Sequence, residues 1–210
     1  MLSKRIRTVA AATLLVLTGA AHAEVLTFHF TGTVTETLDA SVTPVGSHVE
    51  GSFSYDDDTA AGINLPGYAA YQPASFMAGT VSGHSVVSDE LGVEVFDNSA
   101  GNVEDVVVLS GHSIMVDDAL YVDGSFGLSL ASAAGNTDVL HGTGLPSFYP
   151  LADFDGNANG QQVTYGWVQK DGSQTGLIAH FRIDSIKGGH EPCTNPHGKP
   201  KKCKKAKPTR

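Results

Sequence analysis

The stretch LTFHFTGTVTETLDASVTPVGSHVEGSFSYDDD, residues Leu26–Asp58, decides the fold. In both halves of this stretch, apolar or small residues occur at every second position: Leu26, Phe28, Phe30, Val49, Gly51, Phe53 and Tyr55. Successive side chains of a β-strand point to opposite faces, so each half has one apolar face. The sequence Thr-Pro-Val-Gly at 43–46 separates the halves, and Pro and Gly are typical of turns. We therefore predict an antiparallel pair of half-buried strands.

The rest of the chain repeats this pattern in short segments. Clean alternation recurs at 91–95, 126–130 and 177–183, with Gly, Asn, Asp and Pro between the segments. Residues 59–73 have no sustained period and predict an exposed loop, and Asn136–Gly160 predicts a long irregular excursion. The contiguous valines at 106–108 predict a strand that is buried on both faces.

Roughly eight to ten strands, counted from this pattern, predict an all-β fold. An antiparallel two-layer β-sandwich, in the broad class of jelly rolls and Ig-like domains, is the simplest arrangement of such strands. A closed β-barrel is the alternative, because both folds bury one face of each strand.

The first 23 residues have the three parts of a secretory signal. Basic residues (Lys4, Arg5 and Arg7) precede the apolar run Val9–Leu17, and the small residues of Ala21-His22-Ala23 predict cleavage after Ala23. The alternative is an uncleaved anchor, but the run is shorter than the ~20 residues that span a bilayer. We expect a secreted or periplasmic chain that is not membrane-spanning, with one domain at 24–187 and a basic, largely disordered tail at 188–210.

The charge of the chain is unevenly distributed. The 13 Lys and Arg residues lie mostly at the two ends, so the body from Glu24 to Ile186 contains two basic and 21 acidic residues, a net charge of −19. Such a body repels nucleic acid and anionic membranes and attracts cations. The lysines of the tail have no aromatic residues among them for base stacking, which argues against specific nucleic-acid recognition.

Two segments resemble a group of bacterial secreted proteins. The segments FTGTV (Phe30–Val34) and GSFSYDDDT (Gly51–Thr59), a Tyr-rich loop and many short strands resemble the β-rich exoproteins that often carry a PEP-CTERM sorting tail. The resemblance implies a secreted β-rich fold, but the group has no common activity or site residues to transfer. This chain lacks the Pro-Glu-Pro motif, the apolar helix and the terminal Arg cluster of that tail.

Oxygen-bearing side chains at alternate positions suggest a calcium loop. Asp153, Asp155, Asn157 and Asn159 precede Gly160, and Ca²⁺ takes six to eight oxygen ligands. The spacing departs from an EF-hand, since the twelfth position is Thr164 rather than Glu. The alternative is an Asx-rich turn without metal.

The C-terminal tail contains both cysteines. Cys193 and Cys203 are expected to form a disulfide in an oxidising compartment. The alternatives are free thiols or a zinc site with His190 and His197, although this spacing matches no familiar zinc finger.

Enzyme signatures are mostly absent from the sequence. It has no Gly-x-Ser-x-Gly elbow, no His-Glu-x-x-His and no P-loop. Tyr165 and Trp167 alternate on one predicted strand and suit either a sugar-stacking platform or the core. We therefore predict a non-catalytic structural or surface-interaction protein, calcium-stabilised if the loop binds metal. The alternative is a carbohydrate-binding module for extracellular polysaccharide or cell-surface components, and a hydrolase is a third possibility.

Overall fold

The computed structural model describes residues 24–73, 75–97, 104–133, 136, 138–154, 157–158, 161–162, 164–171 and 177–189. Within these residues the structure is all-β, with a single turn of 3-10 helix at Leu151–Asp153. Within these ranges, no helix is both long enough and apolar enough to cross a membrane. The strands are β1 (Val25–Glu36), β2 (His48–Asp56), β3 (Ile63–Leu65), β4 (Tyr68–Tyr71), β5 (Phe76–Val81), β6 (His84–Ser88), β7 (Glu90–Phe96), β8 (Val106–Val116), β9 (Ala119–Ala131), β10 (Asn157–Ala158), β11 (Gln161–Gln162), β12 (Tyr165–Gln169) and β13 (Leu177–Gly188).

Eight of these strands form a closed antiparallel barrel. Their order around the ring is β1, β2, β5, β6, β8, β9, β12 and β13, and β13 pairs with β1 to complete it. The strand β7 continues past the end of β6 along β8, and β4 and β3 extend the sheet outside the ring. The predicted pair β1–β2 is confirmed, with Phe28 opposite Phe53 and Leu26 opposite Tyr55.

The predicted β-sandwich is wrong, and the alternative barrel is supported. A sandwich needs two separate sheets with free edges. Here β8 is hydrogen-bonded to β6 on one side and to β9 on the other, so the ring has no free edge. Alternation in a strand shows which side chains are buried, but it is the same for a sheet that closes on itself and one that faces a second sheet.

Two local predictions are also corrected. The segment 59–73 is not simply a loop, because β3 and β4 form a tight hairpin whose turn contains Gly67 at φ 72°. The valines at 106–108 are not buried on both faces, since Val107 is fully buried while Val106 and Val108 are partly exposed. The strands β3 and β4 are only three and four residues long, and the Gly and Pro residues around them obscure any alternation in the sequence.

Aromatic side chains fill the interior of the barrel. Five phenylalanines on the strands of the barrel are at most 1 % exposed: Phe28, Phe30, Phe53, Phe126 and Phe181. Their neighbouring rings lie 4.9–6.5 Å apart, as between Phe28 and Phe53 or Phe126 and Phe181. The inward position opposite Phe181 is Gly166, where a Cβ would collide with the Phe181 ring. An eight-stranded barrel is just wide enough for side chains to fill it, as they do here.

The irregular segment at 139–154 covers the end of the barrel where β2 ends. Tyr149 and Phe154 are buried in the core, and the hydroxyl groups of Tyr55 and Tyr149 are 2.9 Å apart. Asp105 anchors the start of this segment, because its buried carboxylate accepts hydrogen bonds from the backbone of Val139 and Leu140 at 2.9 and 2.8 Å. The segment therefore belongs to the core and does not extend freely from the surface.

Candidate functional site

Because side chains fill the barrel interior, the residues that a ligand can reach lie on the outer surface. Five outward-facing residues lie side by side across neighbouring strands, and we call them the outer-face row: Gly92, Ser110, Gly127, Trp167 and His180. Each is the register partner of the next, from β7 through β8, β9 and β12 to β13. With strands about 4.8 Å apart, the row is about 19 Å long and crosses the strands.

Trp167 is held in a defined position on this row. The indole lies over Gly127, where a Cβ would come within 2.6 Å of Cη2. Its Nε1–H donates a hydrogen bond to Oγ of Ser125 at 3.0 Å, and Tyr165 packs beside it with ring centroids 5.9 Å apart. Trp167 is half-buried, so it is not a core residue, which was the alternative interpretation of its alternation with Tyr165. The absence of a side chain at Gly127 lets the ring lie against the sheet.

A polar cluster terminates the row beyond Trp167. The ring of His180 is 5.5 Å from that of Tyr165, and its Nδ1 is 3.4 Å from a carboxylate oxygen of Glu36. Farther along β13, Arg182 donates a hydrogen bond to Asp184 at 2.8 Å, and Thr33 donates another at 2.6 Å. Desolvation raises the pKa of Asp184, but these two hydrogen bonds, together with the charges of Arg182 and His48, outweigh it and lower the pKa below its ordinary value.

A groove of about 500 Å³ lies at the opposite end of the row. Gly92 and Ser110 lie in it together with residues of β4 and the acidic side chains of Asp89, Glu90 and Glu94. Tyr68, outside the groove lining, donates a hydrogen bond to Glu94 at 2.9 Å, and this bond raises the pKa of Tyr68. The groove therefore combines a floor of small residues with hydrogen-bond acceptors.

Ser110 and His112 are the nearest approach to a catalytic arrangement in the groove. Ser110 Oγ and His112 Nε2 are 3.2 Å apart. A nucleophilic serine needs its histidine oriented by a third group. His112 is exposed, and no carboxylate among the described residues forms an ion pair with it, although Glu90 is its register partner on β7. Within the described residues, the Ser110–His112 pair therefore lacks an ion-paired carboxylate that would orient the imidazole.

Two of the four residues of the predicted calcium loop lie outside the described residues. Asp153 is exposed at the end of the 3-10 helix, and Asn157 lies in β10, but its side chain is not described. Asp155 and Asn159 lie outside the described residues, as do Cys193 and Cys203 of the predicted disulfide. Among the described residues, no three His, Cys, Asp or Glu side chains are grouped closely enough to bind a metal ion.

The sequence alone did not identify the glycines and serines of the site. Trp167 was recognisable by its residue type, whereas Gly92, Gly127 and Ser125 acquire meaning only from the strand that each one faces. No protein-family profile, curated protein or solved structure significantly matches this chain.

Proposed function

We propose that this protein is a secreted, non-catalytic glycan-binding protein that contacts its ligand with the outer-face row. The observation that carries the proposal is the position of Trp167, which lies across Gly127 and is oriented by Ser125. An aromatic ring fixed on a surface presents a rigid apolar face with little entropy left to lose on binding. The apolar faces of sugar rings stack on such a platform.

The surroundings of Trp167 support the same proposal. Ligand sites combine apolar contact with a few polar groups that fix orientation, and they are concave. The groove beside Gly92 supplies the concavity, and Ser110, Glu90 and Glu94 supply acceptors for sugar hydroxyl groups. The acidic body, with a net charge of −19, disfavours nucleic acid as the ligand.

Retention on insoluble polysaccharides tests the proposal. The wild-type protein is expected to be retained on at least one of cellulose, chitin, xylan or mannan, and Trp167→Ala is expected to lose retention. Phe76→Ala is the matched control, because Phe76 is an aromatic residue that is 41 % exposed on β5, outside the row. Failure of the wild-type protein to bind any of the four polymers, or equal retention of Trp167→Ala, would contradict the proposal.

A second candidate function, surface interaction with another protein, is favoured by the tip of the β8–β9 hairpin. Met115, Leu120 and Val122 are 39 %, 63 % and 68 % exposed there. Exposed apolar residues that lie together often mark contact sites. If the double variant Leu120→Ser/Val122→Ser no longer bound a partner protein but still bound glycan, the two functions would be separate.

A further inference from the structure

We infer that the ligand is an extended, uncharged, equatorially linked glycan chain that crosses the strands from Trp167 into the groove beside Gly92. This inference rests on the glycan-binding function proposed above and identifies a second subsite for it. Trp167 alone would serve a single sugar ring. The structure places a second contact region on the same row, so a longer chain gains contacts that a short one cannot make.

Only small residues lie on the surface between the two subsites, so no bulky side chain interrupts the path. Gly127 lies under the indole and is the register partner of Ser110, which lines the groove, and Ser110 is in turn the partner of Gly92. The two glycines and one serine contribute little side-chain volume. A flat ribbon of sugar rings can therefore lie on this stretch, as equatorially linked chains do, whereas a branched or helical chain would not follow it.

The charge of the groove selects for uncharged chains. Asp89, Glu90 and Glu94 line it, and its lining includes no Lys or Arg. Within the described part of the chain, none of these three carboxylates forms an ion pair. Carboxylates accept hydrogen bonds from sugar hydroxyl groups, but they repel the carboxylates of uronic acids. The remaining titratable groups in the lining are Tyr71, whose hydroxyl donates a hydrogen bond to the carbonyl of Thr143 at 2.7 Å, and His112, whose Nε2 is 3.2 Å from Ser110 Oγ.

Gly92→Leu can fill the second subsite without strain. The nearest atoms to a Cβ at Gly92 are the carbonyl oxygen and Oγ of Ser110, at 3.7 and 3.8 Å, which is ordinary van der Waals contact. The added side chain therefore occupies the groove and leaves Trp167 unchanged. Gly144→Leu is the matched control, because no atom lies within 4 Å of a Cβ at that position.

Calorimetric titration with neutral β-1,4-linked cello- and chito-oligosaccharides tests the inference. The wild-type protein should bind the hexasaccharide of one series at least about tenfold more tightly than the disaccharide. Gly92→Leu should remove this difference, and Gly144→Leu should keep it. Ser110→Leu, which fills the groove from β8, should reproduce the effect of Gly92→Leu.

The outcomes separate this inference from the proposed function. Equal affinity of the wild-type protein for both lengths, an unchanged length dependence in both Gly92→Leu and Ser110→Leu, or equally tight binding of a hexameric oligouronate would overturn the second subsite. Each of those results would leave Trp167-dependent sugar binding in place. Failure of both series to bind at any length would overturn the inference, and failure on all four polymers as well would overturn the proposed function.

Discussion

The hydroxyl oxygens of Tyr55 and Tyr149 lie 2.9 Å apart at the covered end of the barrel. Tyr55 donates its only hydroxyl hydrogen to the carbonyl of Pro146, so Tyr149 must be the donor to Tyr55. Burial raises the pKa of both tyrosines well above the ordinary value. This chain of hydrogen bonds fastens the segment 139–154 to β2.

Removing the two hydroxyl groups should have unequal effects. Tyr149→Phe removes one hydrogen bond and leaves Tyr55 bonded to Pro146, so it should lower the free energy of unfolding by about 1 kcal/mol. Tyr55→Phe deprives both Pro146 and Tyr149 of a partner and should cost about 2–3 kcal/mol. Urea unfolding of the two variants measures the difference, and an equal or reversed order would contradict the assigned donor directions.

The raised pKa values predict unfolding in alkali. In the unfolded chain these tyrosines ionise near pH 10, while in the folded protein they stay protonated, so their contribution to stability is present below about pH 10 and lost as the pH rises. Of the six tyrosines, Tyr55 and Tyr149 should therefore ionise only when the protein unfolds, which is measured as the loss of its near-UV circular dichroism. The free energy of unfolding of the double variant Tyr55→Phe/Tyr149→Phe should fall less steeply than that of the wild-type protein as the pH rises. Reversible ionisation of all six in the folded protein would refute this prediction.

Asp105 should be one of the strongest single anchors of the covering segment. Asp105→Ala leaves the amides of Val139 and Leu140 without their acceptor and should cost about 2–4 kcal/mol. Asp105→Asn keeps an acceptor oxygen and should cost less. Hydrogen exchange at these two amides should accelerate in Asp105→Ala. The control is Asp138→Ala, because Asp138 is exposed and directly precedes Val139, and this variant should leave the exchange unchanged. Unaltered exchange in Asp105→Ala would show that the carboxylate is not the anchor.

Gly127→Ala should disturb Trp167 and the sheet together. Its Cβ would lie 2.6 Å from both Cη2 of Trp167 and the carbonyl oxygen of Leu109. We expect a loss of about 1–3 kcal/mol and a shift in tryptophan emission, because the indole must move. Gly144→Ala is the control and should stay within about 0.5 kcal/mol of wild type. A Gly127→Ala protein with wild-type melting temperature and emission would contradict the packing described here.

The sequence was informative about strands and uninformative about how they close. Alternation is a local property, so β1, β2, β9 and β13 were predictable from residues two apart. Closure depends on β8 pairing with β9 along the whole hairpin and on β13 pairing with β1, which joins the two ends of the domain. Neither pairing produces a sequence pattern that distinguishes a barrel from a sandwich.

The candidate site shows the same limit. Trp167 could be singled out because it is the only tryptophan. Its orientation depends on Gly127 and Ser125, about 40 residues earlier in the chain, and the register of β9 against β12 brings them together. The groove at Gly92 depends in turn on the register of β7 against β8.

The intrinsic fluorescence of Trp167 tests the central claim most directly. Because the chain has one tryptophan, its emission reports on this position alone. Titration with a neutral β-1,4-linked hexasaccharide, chosen from the polymer that retains the protein, should produce a saturable change in emission with the same dissociation constant as calorimetry gives. Binding by calorimetry with no change in the emission of Trp167 would show that the ligand lies elsewhere and would contradict the account.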